Sequence, residues 1–97
     1  MKSIMITYNQ AHSEAVQDIL DSNNVRGYTK WEDVHGRGHY SGEPHLGNHA
    51  WPAKNMVTMA VVEDEKVSII MQKLRDLDEA KKQIGLRAFV WNIEEML

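Results

Sequence analysis

Histidine is the side chain of this 97-residue sequence whose number and placement most suggest chemistry. The sequence contains five histidines, and four of them lie close together: His35, His39, His45 and His49. Neutral imidazole binds Zn(II), Cu(II) or Ni(II) well, and no cysteine is present to supply a thiolate ligand. The sequence therefore predicts a transition-metal site formed by these four histidines, with Glu43 as a further ligand.

The spacing of the four histidines leaves their arrangement open. Two H-x-x-x-H pairs would share one face of a helix, but the glycines and the proline in this stretch disfavour a helix. A hairpin that turns at Gly42 would instead form two opposed pairs of histidines about 14 Å apart. Each pair would then need ligands from nearby carboxylates or another subunit, unless the loop folds back on itself. The alternative is that these histidines are exposed polar residues, or charges that respond to pH near neutrality.

The residues on both sides of the histidines predict four strands and two helices. Alternating or continuous apolar residues indicate strands at residues 2–8, 25–34, 56–62 and 86–93. Apolar residues at helical spacing indicate a first helix that Asn9 caps and a second helix after Asp64. His12 falls in the first turn of the first helix, where we expect it at the surface. Residues 35–54 show neither period, which predicts a long functional loop.

The order of these elements predicts an α+β fold of the ferredoxin-like type, a βαββαβ sandwich. We expect a single domain over residues 1–97, with both helices on one face of the sheet. The first and third strands would lie side by side and run parallel, and we expect the third to be buried on both faces. The uncovered sheet face would remain apolar, which predicts a cyclic homo-oligomer.

Composition and charge exclude several classes of function. The formal net charge of −3 disfavours binding to nucleic acid through bulk positive charge. No stretch has the length and apolar composition of a secretion signal or a membrane span, so we expect a cytoplasmic protein that is not membrane-embedded. His39 or His45 beside Glu43 lies in a glycine-rich loop that offers a catalytic base no rigid support. We therefore expect a protein that is not an enzyme.

Several short motifs follow one another in order along the chain. Residues 26–29 read R-G-Y-T, which fits R-G-x-T at the start of the second strand. Residues 32–38 read E-D-V-H-G-R-G, which is the pattern E-V-x-G-x-G with one additional residue between Glu32 and Val34. Residues 56–67 combine an apolar strand with the acidic start of a helix. Together these motifs resemble those of the PII signalling proteins, the trimeric regulators of nitrogen and carbon status.

This resemblance implies a homotrimer of ferredoxin-like subunits whose T-loop, residues 35–54, changes order when a ligand binds. It also implies a signalling function in nitrogen regulation, with a partner such as a membrane transport protein. Family members can carry a modifiable tyrosine in an E-L-Y-R-G stretch of the T-loop. Residues 43–47 of this chain read E-P-H-L-G instead, so modification at that place is not expected.

The resemblance also directs attention to the segment before the last strand. Family members bind adenine nucleotides there through a T-G-x-x-G-D-G-K motif, whereas residues 78–87 contain a single glycine. A phosphate cradle needs several flexible backbone amides, so this departure argues against adenine-nucleotide binding in the usual mode. Basic residues nearby would still attract an anion. The candidate ligand-binding residues are Gly36, Arg37, Gly38, Gly85 and Arg87.

Two functions are consistent with these observations. The first is a non-enzymatic PII-like sensor that binds a transition metal through its histidine-rich T-loop and signals to a partner protein. The alternative is a PII-like module that binds a small molecule, an adenine nucleotide or another anion, in clefts between subunits. Titration with metals and with nucleotides distinguishes the two.

Overall fold

The computed structural model describes residues 1–36 and 54–97. In chain order the elements are β1 (Lys2–Asn9), a 3-10 helix (Gln10–His12), α1 (Ser13–Ser22), β2 (Thr29–Val34), β3 (Asn55–Val62), α2 (Asp64–Ala80) and β4 (Leu86–Asn92). β2 is shorter than the predicted strand because Asn24, at φ 58°, and Val25, whose N–H donates to a carbonyl of α1, terminate that helix. Within residues 1–36 and 54–97, neither α-helix is long and apolar enough to cross a membrane.

The four strands form one antiparallel sheet in the order β2-β3-β1-β4. With two helices, this is the ferredoxin-like arrangement, and that prediction is confirmed. The expectation that the first and third strands run parallel is wrong, because β1 and β3 pair antiparallel along their whole length. The crossover through α1 returns β2 in the direction of β1, and the connection from β2 to β3 then reverses the chain.

One face of the sheet packs against the two helices and forms the core. On β1 the core side chains are Ile4, Ile6 and Tyr8, which alternate along the strand as the sequence predicted. The helices contribute buried residues at helical spacing: Val16, Leu20, Ile70 and Leu74. The hydroxyls of Tyr8 and Thr58 share a hydrogen bond of 2.7 Å inside this core, so both buried polar groups are satisfied.

His12 lies in the core, so the expectation that it is at the surface is wrong. It is 1% exposed, and its Nε2 atom has no hydrogen-bond partner among the described residues. The spacing explains the burial, because His12, Val16 and Leu20 are each four residues apart and share one side of the helical segment. Counting back by four from the predicted apolar stripe would have predicted a buried histidine.

The second face of the sheet is not covered by any described part of the chain. On β3, buried and half-buried residues alternate, so the expectation of burial on both faces is wrong for the single chain. Aromatic side chains on this face are exposed: Phe89 is 52% exposed, Trp91 43% and Trp31 44%. Strand pairing assigns to this surface, here called the open face, the residues Met5, Trp31, Val57, Met59, Phe89 and Trp91. Apolar surfaces of this kind are often covered by association.

Candidate functional site

β2 contains a bulge just before the long loop begins. The strand pairs regularly with β3 as far as Trp31, opposite Val57. Val34 then lies opposite Asn55, so two residues of β2 face one residue of β3. Asp33, in this bulge, has a φ of 57°, in the left-handed region that aspartate tolerates better than most side chains. The bulge thus accommodates the one residue by which the chain exceeds the pattern E-V-x-G-x-G.

The bulge brings the two sides of the long loop together. An Asp33 carboxylate oxygen lies 3.3 Å from the Lys54 Nζ atom, and the two form an ion pair. The carbonyl of Lys54 also accepts a hydrogen bond of 2.7 Å from the Gln10 N–H. The neighbouring Asn9 N–H donates to the Gly85 carbonyl at 3.0 Å. The end of β1 is therefore tied to the start of β3 and to the residue before β4.

An open cleft of about 530 Å³ lies at this junction. We call it the basal cleft because it lies at the base of the loop; its described lining is Asn9, Gln10, Ala11, Ser13, Glu32, Asp33, Lys54 and Met56. Lys54 is the one cationic side chain in that described lining, and the carboxylates of Glu32 and Asp33 line the same cleft. The polar and charged lining suits a small polar ligand better than an apolar one.

Most of the predicted metal ligands lie outside the described residues. His35 is described; it is exposed and directly follows β2. The residues that lie outside the description are His39, Glu43, His45 and His49, together with the candidate ligand-binding residues Arg37 and Gly38. Within residues 1–36 and 54–97, no three His, Asp or Glu side chains are grouped to hold a metal ion. The metal site therefore stays a prediction.

The other three candidate ligand-binding residues are described and occupy different places. Gly36 lies close to β3, where a Cβ atom would be 3.2 Å from the Asn55 Nδ2 atom, so a side chain there would require an adjustment. Gly85 is joined to the basal cleft through its hydrogen bond to Asn9. Arg87 lies in β4 on the side of the open face. Gly85 is thus connected to the cleft by a backbone hydrogen bond.

The segment between α2 and β4 forms a short turn that is closed by its own hydrogen bonds. The Lys81 N–H donates to the carbonyls of Leu77 and Asp78 at the end of α2. The Ile84 N–H donates to the Lys81 carbonyl at 3.0 Å. Because these amides are already bonded, they are not available to bind a phosphate, which agrees with the scarcity of glycine here.

Sequence reasoning gave no role to Gln10, Ser13 and Lys54, which line the cleft. It did predict that Asn9 caps a helix, and the Asn9 Oδ1 atom accepts a hydrogen bond of 2.9 Å from the Ala11 N–H. The positions of these residues in the predicted topology could have indicated the contact. Lys54 directly precedes β3 and Gln10 directly follows β1, and in an antiparallel pair the end of one strand lies beside the start of the other.

Comparison with known proteins identifies the family. The family model described as nitrogen regulatory protein P-II matches residues 1–97, so this chain belongs to that family, as its motifs predicted. A solved structure of CPII, a PII-like protein from Thiomonas intermedia bound to ADP, AMP and bicarbonate, is similar at a TM-score of 0.79. The two chains are 26% identical over 95% of this chain and 84% of CPII.

A structure of the apo form of CPII resembles the fold at a TM-score of 0.68, with 21% identity over 95% of this chain and 89% of the other. A search of curated protein sequences found no match. The solved structures thus support the fold along nearly the whole chain, and the family match supports membership.

Deleting Asp33 should leave the sheet intact. Without this residue, Val34 moves into the next regular position opposite Asn55, and the bulge disappears. We expect the backbone amides of β2 and β3 to keep their protection in hydrogen–deuterium exchange.

Deleting Thr7 from β1 is the matched control. β1 pairs without a bulge on both sides, so a one-residue deletion there turns one part of the strand to the wrong face and should abolish cooperative unfolding. If deletion of Asp33 removed amide protection as completely as deletion of Thr7, the interpretation of Asp33 as an accommodated extra residue would be wrong.

Proposed function

We propose that this P-II family protein is a non-enzymatic regulator that binds a small anionic ligand in the basal cleft and reports it through the loop at residues 35–54. The observation that carries the proposal is the ion pair between Asp33 and Lys54, which lie near the two ends of that loop and line one cleft. A ligand in the cleft therefore acts on both ends of the loop. Its binding can change how the loop is held, which is the physical requirement for a sensor.

The Lys54 ammonium and the bonded amides of the turn before β4 favour a compact oxyanion over a nucleotide phosphate. Lys54 supplies an ammonium group, and Gln10 and Ser13 supply polar side chains in the same lining. CPII is described as bound to ADP, AMP and bicarbonate, of which bicarbonate is the smallest. A nucleotide phosphate in this chain would depend on Lys54 rather than on a glycine-rich cradle. We therefore propose bicarbonate or a similar oxyanion first, and an adenine nucleotide second.

Signalling, rather than catalysis, is the function that we propose, because this chain belongs to a family of regulatory proteins. The partner that we propose, from the resemblance to PII proteins, is a membrane transport protein. The regulated process would then be the uptake of a nutrient, in keeping with a family of nitrogen regulators.

We also propose that the open face is buried in a homotrimer. Its exposed aromatic and aliphatic side chains form an apolar surface that a monomer leaves in water. Three identical sheets can pack around a threefold axis with these faces inward. The proposal is supported by the family, whose members are typically trimers.

Phe89→Glu should dissociate the trimer, because each copy would bring a carboxylate into the apolar interface. Light scattering coupled to size-exclusion chromatography should show the mass of one chain for this variant and of three for the wild type. Ile69→Glu is the control: Ile69 is 50% exposed, but it lies on α2 and not on the open face, so this variant should remain trimeric. Dissociation by Ile69→Glu alone would contradict the assignment of the interface.

Bicarbonate should raise the thermal unfolding midpoint of the wild-type protein, and Lys54→Gln should reduce the rise. A ligand that binds only the folded state stabilises it, and losing a hydrogen bond from a charged group weakens binding by about tenfold or more. The measurement is thermal unfolding in sodium bicarbonate, with ADP and AMP as separate arms.

Lys82→Gln is the matched control for this measurement. Lys82 is also ion-paired, with Glu79 at 3.1 Å, but it does not line the cleft. Equal losses in the two lysine variants, or no rise with any of the three ligands, would count against the basal cleft as the binding site.

A second proposal is that the histidine-rich loop binds a transition metal. The observation that favours it is the position of His35, which is exposed and follows the bulge at the start of the loop. A metal bound by His35 and by histidines further along the loop would act on the same end of the loop as a ligand in the cleft. The metal and the oxyanion would thus both act on the loop at residues 35–54.

Titration calorimetry with Zn(II), Cu(II) and Ni(II) tests this second proposal. We expect binding by the wild-type protein, loss of binding when His35, His39, His45 and His49 are replaced by alanine, and weaker binding at lower pH because the ligands must be neutral. His12 is retained in both proteins and is buried, so it serves as an internal control. Equal heats for the two proteins would exclude the loop histidines as the metal ligands.

A further inference from the structure

The ammonium group that the basal cleft offers to an anion is already occupied by a carboxylate of the same chain. The Asp33 carboxylate lies 3.3 Å from Lys54 Nζ, and both side chains line the cleft. We propose that Asp33 is an internal competitor for the oxyanion, which must displace Asp33 from Lys54 in order to bind. This inference deepens the proposed function and rests on it.

Asp33 holds this position because of the bulge. The bulge occurs between Trp31 and Val34, and Asp33 within it takes the left-handed conformation at φ 57°. In a regular ladder the preceding residue, Glu32, would be followed directly by Val34, and the carboxylate that pairs with Lys54 would be missing. The additional residue thus adds a second carboxylate to the cleft, and this one is paired with Lys54.

The ion pair is weak enough to be exchanged. The side chains of Asp33 and Lys54 are 67% and 42% exposed, so water competes for both charges. Exposed ion pairs of this kind contribute little to stability, and salt screens them further. An oxyanion that brings its own negative oxygen to Lys54, and polar contacts to Gln10 and Ser13, can therefore replace the carboxylate.

The exchange has a structural consequence. In the free protein, the Asp33–Lys54 pair joins the two sides of the loop across its base. In the liganded protein, Lys54 turns its charge to the anion, and Asp33 is released from its partner. Occupation of the cleft and closure of this ion pair exclude one another, which couples ligand binding, through Lys54, to the base of the loop.

Asp33→Asn tests the competition with little change in shape. Asparagine tolerates the left-handed conformation as aspartate does, so the bulge should be kept while the charge is lost. We expect the variant to bind bicarbonate roughly twofold to fivefold more tightly at low ionic strength, the range set by one exposed ion pair. The measurement is titration calorimetry with sodium bicarbonate, with ADP in a second arm to distinguish a free oxyanion from a nucleotide phosphate.

Removal of any negative charge would help an anion, so the effect of Asp33 must be shown to act through Lys54. The double variant Asp33→Asn/Lys54→Gln should bind no more tightly than Lys54→Gln. Glu32→Gln removes a charge from the same cleft, but the carboxylate paired with Lys54 is that of Asp33. The gain in affinity from Glu32→Gln should therefore be smaller, and it should be the same in the wild-type and in the Lys54→Gln background.

The possible results distinguish the proposed competition from the proposed ligand. The competition is overturned if the wild-type protein binds the oxyanion but Asp33→Asn gives no gain in affinity, or gives the same gain in the Lys54→Gln background. The proposed ligand is supported in either case. Failure of both the wild type and Asp33→Asn to bind bicarbonate and ADP overturns the proposed ligand class, and the competition with it.

Discussion

β1 pairs with both of its neighbouring strands, and this double pairing determines the arrangement of the sheet, the core and the basal cleft. β1 pairs along its length with β3 on one side and with β4 on the other, and its Ile4, Ile6 and Tyr8 side chains fill the core. Because both ladders are antiparallel, the end of β1 at Asn9 lies beside the start of both partner strands. The basal cleft is formed at that end, so the strand that builds the core also determines where the site lies.

The fold could be predicted from the sequence because its signals are local. Alternation on β1 and β4 and helical spacing in α1 and α2 identify the elements, and the order of the elements limits the topology. Strand direction was the error in that prediction, since it depends on following the chain through each connection. The burial of His12 was missed because the residue was assigned by its position in the first turn of the helix and not by its sequence spacing from Val16 and Leu20.

The site was harder to predict because it depends on register. That the chain has one residue more than the E-V-x-G-x-G pattern can be read from the sequence, but not that Val34 then pairs with Asn55 and leaves Asp33 in the bulge. The role of Lys54 depends on the same pairing, since Lys54 directly precedes Asn55. A cluster of histidines can be recognised from the sequence alone, whereas the role of a single lysine depends on which residue lies opposite it in the folded chain.

The bulge has a further consequence for the edge of the sheet. Among the described strands β2 is the outermost on its side of the sheet, and an edge strand can pair with a strand of another molecule, which leads to aggregation. A bulge interrupts the regular row of backbone donors and acceptors, and Lys30, Glu32 and Asp33 place charges along it. An irregularity that holds a carboxylate beside Lys54 therefore also protects the protein from uncontrolled self-assembly through this edge.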